Sequence, residues 1–256
     1  MNQLIVYERE IVNNLATIAK KDALHFSSPI SSHERISHLQ DVLRARIGDT
    51  LKIFIPNQSR RIAKIIQLDD NTCTLELGPP LLEVISPFTH LHLLIGISRP
   101  LTMKKIFEHA TAMGVAQLHF FLGEKSEKSY LQSPLIKSKE YLRFIEQGLS
   151  QSSRYFKHPQ VEFHSYLKEL ALPPIANRFY LESSAKATLQ TEQHLLASPT
   201  LLAIGPERGY SENELATLKQ KEFQGVRISQ SILRVEMALF YALAQLEFIH
   251  LHQSCS

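Results

Sequence analysis

Two short stretches hold residue types that could do chemistry together. The first, "TLLAIGPERGYSENE" at 200–214, is an apolar run that opens into Gly205, Pro206, Glu207, Arg208 and Gly209. Pro206 fixes its own φ and Gly209 admits φ values that other residues avoid, so the backbone there can approach a ligand closely. Ser211 and Glu214 have the spacing of a capping box, which predicts a helix whose first N–H groups point toward the loop. An ordinary strand-to-helix turn would use the same residues. The second stretch, "RISQSILRVEMALFYALAQLEFI" at 227–249, sets Arg234 and Glu236 at the start of an otherwise apolar helix. A Glu favoured by the helix dipole beside an Arg reaching for water is one reading. A cation and a carboxylate paired at a strand-end cleft, able to stabilise developing charge or move a proton, is the other.

A third stretch, "LSQSSRYFKHPQV", places Arg154 after a helical segment with Tyr155, Phe156 and Lys157 beside it. Aromatic and basic side chains together can stack bases and grip phosphates, although a helix C-terminus also simply favours cations.

The elements that position these residues change character along the chain. "SSHERISHLQDVLRARIGD" has Ile36, Leu39, Val42 and Leu43 at helical spacing and predicts a short amphipathic helix ending before Gly48. "TLKIFI", "RRIAKIIQL" and "TCTLEL" follow as three β-rich runs separated by turn residues, so residues 1–78 read as a small β-rich, barrel-like domain. "LGPPLLEVISP" carries three prolines and serves as the linker candidate, with a second domain over 79–256. From residue 90 strands and helices alternate: "HLHLLIGIS", "MKKIFEHATAMG", "AQLHFFL", a helix from about Ser138 to Ser153, "NRFYLES", a helix near 187–196, "TLLAIG", a helix from Ser211, "GVRIS" and a last helix from about Leu233 to His250. That rhythm predicts an α/β domain with a mainly parallel sheet, whose ligands sit beyond the carboxyl ends of the strands.

Composition narrows the function classes. At 256 residues, with 44% hydrophobic and 21% charged residues, the chain is of ordinary globular composition with room for two domains. No apolar stretch is long enough for a membrane span. Glu8, Arg9 and Glu10 stand where a secretory signal would need apolar residues, so a cytoplasmic protein is expected. Cys73 and Cys255 have no metal-ligand spacing, and the twelve histidines form no His-Glu-x-x-His pattern. His90 and His92 alternate as strand residues do, so no metal is expected. The net charge is only +3, but residues 87–158 hold ten basic and five acidic residues, an excess compatible with a phosphate-binding face.

"LLAIGPERGYSENE" and "ILRVEMA" resemble the signatures "IGPEGGFS" and "ILRTETA" of the RsmE family, SPOUT-class methyltransferases that modify uridine N3 in bacterial 16S ribosomal RNA. "SHLQDVLRARIGD" is similar to the "HL..VLR...GD" region of that family's PUA-like domain, and "QSSR" at 151–154 to its "QSxR". The resemblance spans the whole chain. It implies a SPOUT-type parallel sheet with a C-terminal trefoil knot, a PUA-like amino-terminal domain, S-adenosylmethionine as methyl donor, 16S rRNA of the small ribosomal subunit as substrate, and a homodimer with sites near the subunit interface.

Carried over residue by residue, Ile204, Gly205, Pro206, Glu207 and Gly209 match the first donor loop. Ser229, Ile232, Leu233, Arg234 and Glu236 fall in the second, and Leu181 and Glu182 form a further wall by position. Methylating N3 requires loss of its proton, which spreads negative charge onto O2 and O4 of the base, so a fixed guanidinium beside it lowers the barrier. Arg234 is the first candidate and Arg154 the second, with Glu236 expected to orient Arg234. Arg44, Arg46, Arg60 and Arg61 are expected to grip flanking RNA. The chain departs from the family at Arg208, where a glycine is usual, at Ser229 and Gln230, where Gly and Pro are usual, and at Met237. Those changes leave open a methyltransferase acting on another RNA, or an RNA-binding relative without catalysis. A nicotinamide enzyme would need a G-x-G-x-x-G fingerprint that the sequence lacks.

Overall fold

Strand-forming residues in the first part of the chain pair into one sheet, and those of the second part into another. The computed structural model describes residues 3–19, 29–171, 174–189 and 198–254. Cys255 and most of the helix expected near 187–196 lie outside the described residues. The chain divides into two units, Met1–Val84 with Leu142–His158, and Ile85–Tyr141 with Pro159–Ser256. Among the described residues no helix is long and apolar enough to cross a membrane.

The first unit is a barrel-like six-stranded sheet of order β1-β4-β5-β6-β3-β2, formed by β1 Leu4–Ile5, β2 Ile11–Val12, β3 Leu15–Ala19, β4 Thr50–Ile55, β5 Ser59–Leu68 and β6 Thr72–Pro80. All pairings are antiparallel except β1 with β4. Two register shifts between β5 and β6 bend the sheet over its core of Val6, Ile18, Ile36, Ile53, Ile65 and Leu75. Cys73 belongs to that core, and burial pushes its thiol up to about 12, the behaviour of a structural cysteine.

The expected amphipathic helix forms as α1 Ser32–Ser37, capped by Ser31 and Glu34, and continues through one π-helical turn to Val42. It stops where Arg44 takes a left-handed φ of 49°. The helix read from Ser138 to Ser153 is α4 Tyr141–Gln151. A boundary after residue 78 assigns α4 to the second domain, whereas its Leu149, with the following Phe156, packs against Ile5, Ile30 and Phe54 of the first unit.

In the second unit the sheet is wholly parallel, of order β12-β10-β11-β7-β8-β9. Its strands are β7 Leu91–Gly96, β8 Gln117–Phe121, β9 Gln160–His164, β10 Asn177–Leu181, β11 Thr200–Ile204 and β12 Gln224–Val226. Every residue of β11 is buried, as a strand covered on both faces requires. The helices are α2 Pro100–Ala112, the short α3 Pro134–Lys137, α5 Glu212–Gln220 and α6 Val235–Ser254. Proline at the first position of α2 is preorganised for a helix start. α6 packs against α2, with the rings of His109 and Phe240 centred 4.6 Å apart.

Candidate active site at three strand ends

β11 delivers the chain to Gly205, and the loop that follows is held by close packing. A Cβ on Gly96, at the end of neighbouring β7, would lie 2.7 Å from Pro206 Cα and 2.7 Å from its Cδ. Only glycine lets Pro206 sit there. Residues 206–209 form a turn closed by the Gly209 N–H donating to Pro206 O at 2.8 Å, with Gly209 in the left-handed region at φ 67°. Arg208 does not take a positive φ, so the turn accepts it without backbone strain.

The capping box read from the sequence is present. Ser211 Oγ accepts from the Glu214 N–H at 3.0 Å and Glu214 Oε2 accepts from the Ser211 N–H at 2.7 Å. Glu214 is buried, and its other oxygen accepts from the Glu124 N–H at 3.0 Å, which ties the loop after β8 to the start of α5. Glu207 turns toward α2, where its Oε1 accepts from Thr102 Oγ1 at 2.8 Å and pairs with Arg99 Nε at 3.2 Å.

The second loop follows β12. The Glu182 N–H beyond β10 donates to Val226 O at 3.0 Å, and Arg227 exchanges backbone hydrogen bonds with the segment after β10, donating to Ala187 O and accepting from the Leu189 N–H. Ser229 Oγ then accepts from the Ser231 N–H at 3.0 Å, and Gln245 of α6 donates to Ile228 O at 2.7 Å. These bonds replace the rigidity that a Gly-Pro pair would give.

The ends of β10 and β11, together with the loop after β12, enclose one cavity of about 260 Å³. Leu181, Glu182, Ile204, Gly205 and Pro206 line it, as do Glu207, Gly209, Ser229, Ile232 and Leu233. All ten residues that the sequence assigns to the donor thus meet in one place. Ile232 is 90% exposed at its rim. Ser183, Tyr210, Ile228, Ser231, Val235 and Ala238, which the sequence motifs do not single out, complete the wall. Tyr210 packs its ring over Gly205, its hydroxyl is buried without a hydrogen-bond partner among the described residues, and burial raises its pKa well above the ordinary value. Its place directly after the glycine turn was the available signal.

Arg234 is exposed beside this cavity at the start of α6, and its carbonyl accepts the first N–H of the helix ladder. Glu236 is 7% exposed and faces Lys105 Nζ at 3.5 Å, so the described contacts pair it with α2 rather than with Arg234. The orienting role expected of it toward Arg234 is therefore not what this pairing provides.

Arg154 belongs to the first unit, exposed on a turn where Ser152 Oγ accepts from the N–H groups of Arg154 and Tyr155. Arg44, Arg46, Arg60 and Arg61 lie in that unit too. Arg44 and Arg46 are exposed, whereas Arg61 is half-buried and donates to Gly78 O. Arg60 is 8% exposed, and its guanidinium donates to Ser153 O and Leu82 O. It braces the unit from within, its guanidinium engaged by backbone carbonyls rather than turned to solvent.

The family model described as "RNA methyltransferase domain" matches residues 85–247, and that described as "RNA methyltransferase PUA domain" matches residues 31–78. The chain belongs to the RNA methyltransferase family. The matched methyltransferase segment contains both cavity loops, and the PUA segment runs from α1 to β6. Among curated relatives, "Ribosomal RNA small subunit methyltransferase E 1" of Borreliella burgdorferi is 26% identical over 223 residues, covering 85% of this chain and 91% of that protein. "Ribosomal RNA small subunit methyltransferase E" of Treponema pallidum is 24% identical over 251 residues, covering 95% and 90%. The fold is that of the Neisseria gonorrhoeae ribosomal RNA small subunit methyltransferase E, solved bound to S-adenosyl methionine, with a TM-score of 0.74 at 18% identity over 96% of this chain and 98% of that one.

Proposed function

We propose that this chain methylates N3 of a uridine in 16S ribosomal RNA of the small subunit, with S-adenosylmethionine as donor, as a cytoplasmic homodimer. The observation that carries the reading is the single strand-end cavity into which both loops of the family converge. Its residues fit the donor. Leu181, Ile204, Ile232 and Leu233 offer an apolar slot for adenine, the close approach of Pro206 to Gly96 leaves backbone groups at the wall, and the unpartnered Tyr210 hydroxyl is a polar group awaiting a partner. When bound, the donor supplies an electrophilic methyl group on a sulfonium.

Arg234, exposed beside the cavity, is proposed to stabilise the negative charge left on the base as N3 gives up its proton to solvent water. Glu236 and Lys105 set the local potential behind it. Arg154, Tyr155 and Lys157 in the first unit, with Arg44 and Arg46, are proposed to hold RNA. Dimerisation is supported by the apolar face that α6 leaves open, where Met237, Tyr241 and Phe248 are 43%, 46% and 57% exposed. The trefoil knot belongs to the same proposal, supported by the hydrogen bonds that set Arg227 alongside Ala187 and Leu189.

The test is transfer of labelled methyl from S-adenosylmethionine to unmodified small ribosomal subunits, with the labelled nucleoside identified by mass spectrometry. Label in 3-methyluridine of 16S rRNA is expected. Donor binding with label in a different RNA would move the activity to that substrate, and neither binding nor label would end the catalytic reading.

A further inference from the structure

The face of β7, β8 and β9 carries a histidine cluster that the methyltransferase cavity does not use. His119 in β8 lies opposite Glu162 in β9, and His164 is two residues further along the same strand, so the parallel register and the two-residue period put all three side chains on one face. His119 Nδ1 is 3.3 Å from Glu162 Oε2 and 3.4 Å from His164 Nε2, and the third side of the triangle, His164 Nε2 to Glu162 Oε2, is 3.5 Å. On its far side His119 Nε2 meets His92 Nδ1 of β7 at 3.2 Å.

Two separate hydrogen bonds to the carboxylate do not produce this triangle. Two imidazole N–H groups donating to one carboxylate would give two contacts of about 2.7–2.9 Å and leave the nitrogens apart, because no proton remains for the N···N side. Here the three sides are nearly equal and all longer. A tetrahedral cation bound at about 2.0–2.1 Å by nitrogen and carboxylate oxygen separates its ligand atoms by roughly 3.3–3.4 Å, which matches the sides observed. We infer that His119, Glu162 and His164 form a zinc site of His₂Glu type, with an open fourth position for water.

His92 completes the arrangement. If His119 binds through Nδ1, its Nε2–H donates to His92 Nδ1, which fixes the ring and its tautomer as metal-bound histidines require. Borderline nitrogen ligands with one carboxylate in tetrahedral geometry select zinc over magnesium or calcium. The ion would tie the edge strand β9 to β8. Glu162 is largely exposed, which gives the ion a route in.

Zinc chloride titrated calorimetrically into the full chain, freed of any histidine tag, tests the site, with cobalt(II) absorption as reporter of coordination. One zinc per chain and an intense tetrahedral cobalt band are expected. Both should vanish in Glu162→Gln and His164→Ala, with the fold checked as intact by circular dichroism, while His92→Ala should weaken binding by about 10–100-fold. Zinc binding unchanged in Glu162→Gln and His164→Ala, or a weak octahedral cobalt spectrum in the native chain, would overturn the assignment. Methyl transfer is read by neither measurement, so this result stands or falls apart from the proposed activity.

Discussion

Alanine at Gly96 gives the sharpest test of how the cavity is held. The added methyl would press hardest on the Pro206 backbone nitrogen and lie 2.7 Å from Pro206 Cα and Cδ, while ordinary contact begins at 3.4 Å, so Pro206 must retreat by about 1 Å. The obstacle is backbone and a rigid ring, with no flexible side-chain end to swing aside. Overpacking of this kind costs about 1–3 kcal/mol. Because Pro206 is a cavity wall, the displacement reaches the ligand, and at about 1.4 kcal/mol per tenfold the expected loss of donor affinity is roughly 5- to 150-fold. Gly209→Ala is the informative contrast. A Cβ there meets nothing within 4 Å, so its cost is only the left-handed strain of about 1–2 kcal/mol, taken from stability with no wall pushed inward. The assays are urea unfolding and calorimetric titration with S-adenosylmethionine. If Gly96→Ala left both stability and affinity at native values, the close-approach argument would be refuted.

Tyr210→Phe removes a buried, unpartnered hydroxyl, so the free protein should gain about 1–3 kcal/mol in urea unfolding while donor binding weakens; lower stability would show the hydroxyl already satisfied. Glu146, buried beside Tyr7 whose hydroxyl donates to it at 2.6 Å, has its carboxyl pushed up by burial from 4.5 to about 7. Its folded pKa lies above its unfolded one, so this stabilisation is complete below about pH 4.5 and is lost as pH rises through about 7, on the order of 3 kcal/mol in all. Glu146→Gln should therefore gain on the native chain between pH 5 and pH 8, and parallel pH profiles would exclude the linkage. Arg234→Ala should lower turnover at saturating RNA far more than donor affinity; equal losses in both would make Arg234 a donor contact. Replacing Arg44 and Arg46 together by Ala should weaken RNA binding at low salt and flatten its salt dependence by about two charges, whereas an unchanged slope would remove them from the RNA face.

What the sequence disclosed and what it hid follow from the range of the interactions. The Ser211–Glu214 box and the Gly209 turn are local, and local chemistry is legible in order along the chain. The strand–helix rhythm likewise reports burial on both faces, as in β11. β9 escaped because "QVEFH" has no apolar run and none of its residues is fully buried at the sheet edge. The allegiance of α4 is set by Leu149 and Phe156 meeting Ile5 and Phe54, partners on the order of a hundred residues or more away in sequence. Glu236 was read against its neighbour Arg234, but a residue two along a helix points elsewhere, and Lys105 from α2 meets it instead. The histidine cluster was invisible for the same reason: its ligands come from two strands and carry no spacing motif of their own.

The departures at the two loops change side-chain chemistry and leave the turns that build the cavity in place. In the first turn the left-handed position belongs to Gly209, which is retained, so the glycine usual at 208 is dispensable and Arg208 adds an exposed cation without strain. In the second loop Ser229 hydrogen-bonds the Ser231 N–H, and Gln245 holds Ile228, so side chains from the loop and from α6 supply the rigidity of the missing Gly-Pro. Met237 is exposed on the apolar face of α6 and stands outside the cavity wall. Each replacement therefore leaves the cavity built and alters what approaches its rim. An added guanidinium at 208 favours an anionic approach, which is the direction expected of a rim that receives RNA rather than of a cavity that has lost its ligand.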